Sequence, residues 1–86
     1  MSTKSIGGNY WDTFTENAWQ LVNGMYQMTI SGNIHGLGYV CHVEITRYDN
    51  GKYYSVPIQY DIDTSGNITV YSAEEFEGIY YVKSGV

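Results

Sequence analysis

The sequence predicts an α+β domain in which one N-terminal helix packs on a four- or five-stranded antiparallel β-sheet built from meander-like hairpins. Three observations carry that prediction. Apolar residues between positions 9 and 24 recur at helical spacing. After Gly24 the period changes to two. Asn50-Gly51 then divides a long alternating stretch into two halves, the strongest short-range sign of a hairpin.

Residues 1–8 are small and polar and read as a flexible tail, ahead of one domain over 9–86. In "NYWDTFTENAWQLVNG", Trp11, Phe14, Ala18, Leu21 and Val22 share one helical face. Asn9 is placed to cap the helix, and Asp12 and Glu16 suit the positive end of its dipole. Asn23-Gly24 reads as its C-terminal stop. "YQMTIS" then alternates Tyr26, Met28 and Ile30 with polar residues, as a strand does.

The two-residue turn at Asn50-Gly51 sets a register. It pairs Ile45 with Val56, Thr46 with Ser55 and Tyr48 with Tyr53. Continued further, it pairs Val43 with Ile58, His42 with Gln59, Cys41 with Tyr60 and Tyr39 with Ile62. Pro57 then falls on the outer face opposite Glu44, where its missing N–H needs a bulge or an unpaired position.

"DIDTSGNITV" resembles the calcium-binding loop of the EF-hand over eight positions, with Asp61, Asp63 and Ser65 as ligands and Gly66 at the sharp turn. The twelfth position, which needs a bidentate Glu, is Ser72, and the flanks read as strands rather than helices. A hairpin is the better reading. A three-residue loop, Ser65-Gly66-Asn67, pairs Ile62 with Val70. Ser72 and Glu75 form a capping-box pattern that predicts one helical turn before Gly78, and "IYYVK" reads as a short last strand. The expected core is Trp11, Phe14, Ala18, Leu21, Met28, Ile30, Val43, Ile45, Val56, Ile58, Ile62 and Val70.

The 86 residues carry a net charge of −5 and only four basic side chains, Lys4, Arg47, Lys52 and Lys83. A phosphate backbone is repelled by such a surface, so direct nucleic-acid binding is not expected, whereas basic partners are attracted. Cys41 is the single cysteine, which excludes an intrachain disulfide and a Cys-rich zinc site. With no apolar run in "MSTKSIGGNY" and no stretch of membrane-span length, the expected setting is cytoplasmic.

No catalytic motif is present, so no catalytic residue, metal ligand or cofactor is assigned and the chain is not expected to be an enzyme. His42 and Glu44 share an outer face as a weak acid/base pair. Cys41 and His42 point to opposite faces and do not make a joint metal site. The candidate contact residues are acids and tyrosines. Asp61, Asp63, Glu74, Glu75 and Glu77 make the C-terminal third the acidic region, and Tyr48 and Tyr53 pair beside the Asn50-Gly51 turn. Tyrosine gives amphipathic contact area at low entropic cost.

These features lead to an acidic, non-enzymatic module that binds a basic protein surface, foremost that of a nucleic-acid-binding protein. In type the chain resembles phage-encoded inhibitors of host defence nucleases, including anti-CRISPR proteins, some of which imitate nucleic-acid charge. The alternative is a small module for carbohydrate or calcium. A homodimer is compatible with any sheet edge left uncovered.

Overall fold

The computed structural model describes residues 8–86. The predicted tail therefore lies outside the described residues except for Gly8, whose carbonyl accepts from the Ser84 N–H at 2.9 Å. Among the described residues, eight strands form two antiparallel sheets of four. They are β1 (Asn9–Phe14), β2 (Gln20–Val22), β3 (Met25–Ile30), β4 (Cys41–Asp49), β5 (Lys52–Val56), β6 (Gln59–Ile62), β7 (Ile68–Ser72) and β8 (Gly78–Ser84). The first sheet has the order β1-β8-β4-β5 and the second β2-β3-β7-β6. The chain changes sheet after β1, β3, β5 and β7, so only β2–β3, β4–β5 and β6–β7 are hairpins.

This is a β architecture, and the α+β expectation is wrong. Strands make up 57% of the described residues, against a single 3-10 turn (Glu16–Ala18) and a one-turn helix α1 (Gly32–His35). No helix among the described residues is long and apolar enough to cross a membrane.

The predicted N-terminal helix is replaced by β1, the 3-10 turn and β2. In β1 the buried positions are Tyr10 and Phe14, with Asp12 between them on the same face. That is period two, interrupted to the eye by a carboxylate. Trp11 is 41% exposed and Leu21 61%, and Ala18 is exposed as well. Asn23-Gly24 is a hairpin turn, not a helix stop. Its φ values of 51° and 82° repeat the 52° and 81° of Asn50-Gly51, the two positive values that a two-residue hairpin matching strand twist requires.

The β4–β5 hairpin has the predicted register from Ile45↔Val56 to Tyr48↔Tyr53. Beyond Val56 the prediction fails, because Pro57 and Ile58 carry the chain out of the first sheet and into β6. The side of β4 that β5 leaves is met from the other sheet, where the Tyr60 hydroxyl accepts from the Val43 N–H at 3.2 Å. The other edge of β4 pairs with β8, with Val43 opposite Val82. Between β6 and β7 the loop spans five residues, 63–67, so Ile62 pairs with Ile68 rather than Val70. A shift of two residues keeps the same face inward.

The inward residues of both sheets form one core. Tyr10, Phe14, Val43, Ile45, Tyr80 and Val82 come from the first sheet, and Met28, Ile30, Ile68 and Val70 from the second. Trp19 and Phe76 enter from connections. Val56, Ile58 and Ile62, expected in the core, are only partly buried against it.

Burial rather than hydrophobicity decides the cost of truncation here. Ile68→Ala is expected to destabilise the protein by about 2–5 kcal/mol. Leu21→Ala should stay within about 0.5 kcal/mol of wild type. Urea denaturation of the two variants checks this, and equal losses would show that Leu21 contributes as much packing as Ile68.

Candidate functional site

One end of the sandwich is closed by an aromatic cluster. Phe14, Trp19 and Phe76 meet with ring centroids 5.2–5.9 Å apart. The Trp19 indole N–H donates to the Phe76 carbonyl at 2.8 Å, a buried bond that ties the 3-10 turn to the β7–β8 connection. Arg47 lies over the exposed side of this cluster, its guanidinium carbon 5.2 Å from the Phe76 centroid, and its Nη1 donates to Glu74 Oε2 at 2.8 Å. The predicted helical turn is absent from this connection. The Ser72 hydroxyl instead bonds both the N–H and the carbonyl of Glu74, as in a serine turn.

The same connection brings Glu77 to the tyrosine pair. The Tyr48 N–H donates to the Glu77 carbonyl at 2.8 Å. Tyr48 and Tyr53 are 38% and 52% exposed, with ring centroids 5.0 Å apart and planes inclined by 54°. With Glu77, Thr13, Phe14, Thr15 and Gly78 they line a cleft of about 200 Å³. Gly78 is required there, because a side chain would collide with the Thr46 carbonyl. Through Thr13, Phe14 and Thr15 the cleft adjoins a broader groove of about 550 Å³ along β1. A third groove, of about 410 Å³, runs between Arg47, Pro57, Tyr71, Glu74 and Phe76.

The other acids lie apart. Asp61 accepts from the Tyr71 hydroxyl at 2.6 Å on the outer face of the second sheet. That bond, then burial and the charge of Asp61, hold the Tyr71 phenol above its usual range. Asp63 shapes its own loop. One carboxylate oxygen accepts from the Ser65 and Asn67 N–H groups at 2.9 and 3.0 Å, and the other from the Asn67 side-chain amide at 3.2 Å. These bonds, that of the Asn67 N–H foremost, hold the Asp63 carboxyl below the usual carboxylate range. The length of β7 separates Asp63 from Glu74, roughly 20 Å at about 3.4 Å per residue. The structure therefore brings Tyr48 and Tyr53 to the connection carrying Glu74, Glu75 and Glu77, and it leaves Asp61 and Asp63 outside that group.

His35 and Glu44 have structural partners. His35 is buried at the other end of the sandwich. Its Nδ1 accepts from the Leu37 N–H at 3.0 Å, so Nε2 carries the proton and donates to the Gly66 carbonyl at 2.6 Å. Glu44 accepts from Lys83 at 3.1 Å. Burial pushes the Cys41 thiol up, which makes it a poor nucleophile. No group of three or more metal-ligating side chains exists among the described residues. The sequence reading missed Trp19 and Phe76. The one available signal was Phe76 itself, a lone aromatic among glutamates.

No family model matches the chain, and no curated protein or solved structure matches it either.

The depressed Asp63 carboxyl sets the sign of one pH effect. Its stabilisation is present above the unfolded value and is lost as pH falls through the lower folded value. Asp63→Asn should melt below wild type at neutral pH. The gap should close as pH drops from about 4 downward. A gap in melting temperature that persists unchanged into strong acid would assign the loss to packing instead.

Proposed function

We propose that this chain is a non-enzymatic module that presents one acidic, tyrosine-bearing end to a basic surface on a partner protein. The observation that carries the reading is the convergence of Tyr48, Tyr53 and Glu77 on a single cleft. Exposed Glu75 neighbours it in the same connection, and exposed Glu16 follows the cleft residue Thr15. Tyrosines supply contact area, and the carboxylates supply long-range attraction for a basic partner. A nucleic-acid-binding protein is the partner class such a charge suits. The analogy with charge-mimicking inhibitors narrows to this end, since Asp61 and Asp63 serve Tyr71 and the 63–67 loop. A cytoplasmic setting agrees with one half-buried, unpaired thiol.

The test is capture of partners on immobilised protein, with wild type beside two double variants. Glu75→Gln with Glu77→Gln should weaken capture of a basic protein, and so should Tyr48→Ala with Tyr53→Ala. Asp61→Asn should leave it unchanged. Wild-type binding should fall steeply between about 50 and 500 mM salt, because separated surface charges are screened. Salt-insensitive capture, or capture indifferent to both double variants, counts against this end as the contact surface.

A second reading has its own observation. Trp11 stands opposite Tyr81, and Tyr81 opposite Glu44, on the outer face of the first sheet. Aromatic rings beside a carboxylate suit a carbohydrate. A glycan that raises the melting temperature of wild type but not of Trp11→Ala would favour it. A calcium site has no such support, because the Asp63 carboxylate already accepts three hydrogen bonds within its loop.

A further inference from the structure

Resting on the partner reading above, we propose that the cleft formed by Tyr48, Tyr53 and Glu77 is a socket for one arginine side chain of the partner. The lining points to a cation. Tyr48, Tyr53, Glu77, two threonines, Phe14 and Gly78 line it, and no basic residue contributes. Every charged or π-rich group there therefore favours positive charge. At about 200 Å³, the cleft is smaller than the roughly 300–1,000 Å³ of small-molecule sites. Its scale suits a single long side chain.

The protein shows the same recognition within itself. Arg47 stacks over Phe76 and is held by Glu74, at 5.2 and 2.8 Å. The cleft begins at the next residue of β4, and the glutamate comes from the same β7–β8 connection. It offers Tyr48 and Tyr53 in place of Phe76, and Glu77 in place of Glu74. Arginine fits this set better than lysine. Its guanidinium is planar, weakly hydrated and stacks on rings, and its five donors serve the carboxylate. Lysine brings a compact, strongly hydrated charge with no stacking surface.

The test uses the full chain and small probes, so it needs no partner. Nuclear magnetic resonance titrations are run with N-acetyl-arginine amide, its lysine counterpart and its neutral citrulline counterpart. The arginine probe should shift the Tyr48 and Tyr53 ring signals saturably, about threefold more tightly than lysine and at least about tenfold more tightly than citrulline. Tyr53→Leu and Glu77→Gln should each weaken it about three- to tenfold. Asp61→Asn serves as the control and should change nothing. Citrulline binding as well as arginine, or shifts that map away from the two tyrosines, overturns the socket even where a basic partner is captured. Arginine seated in the cleft without any captured basic partner would leave the socket standing and remove the wider partner reading.

Discussion

The acidic end depends on one buried hydrogen bond, from the Trp19 indole to the Phe76 carbonyl. Residues 73–77 lie outside the strands and gain no ladder bonds of their own. The indole fixes the backbone at Phe76, and the Phe14 and Trp19 rings hold its side chain. The fixed ring then gives Arg47 a surface to lie on, and Arg47 holds Glu74. One residue further on, the Glu77 carbonyl meets the Tyr48 N–H. A buried polar group without its partner costs about 1–3 kcal/mol. The acids at this end are thus positioned from inside the core.

The opposite end uses a different device for the same problem. Two sheets packed face to face leave backbone groups at their ends that no strand pairs. His35 answers two of them, the Leu37 N–H and the Gly66 carbonyl, with one ring. The Asn67 side chain accepts from the Gly32 N–H and so joins the 63–67 loop to α1. His35 and the loop residue Asp63 are thus occupied with backbone groups.

How much was legible depended on whether local signals agreed. At Asn50-Gly51 the turn residues and the alternating faces agreed, and the register from Ile45 to Tyr53 was readable. At Asn23-Gly24 the same dipeptide carried the same conformation, but Trp11, Phe14, Ala18 and Leu21 upstream imitated a helical stripe. The true inward set, Tyr10, Asp12 and Phe14, hides behind its carboxylate. Past Val56, pattern alone extends a pairing that the chain abandons, and Pro57 was the residue that marked the exit. The tyrosine pair was visible because its two members face one another across a turn. The grouping of acids was not, because closeness in sequence between Asp63 and Glu74 spans the length of a strand.

Strand β8 sits between β1 and β4, yet it follows every other strand in the chain. The first sheet therefore has no continuous ladder until residues 78–84 have been made. Until then β1, which pairs with β8 among the described residues, has both edges unpaired while nearly the whole domain emerges. Folding of this kind is governed by distant contacts and is slow for the chain's size. The interval leaves Tyr10 and Phe14 without the strand that holds them, and it leaves an edge of β4 open, which is the kind of apolar surface and unpaired edge that invites association with other chains.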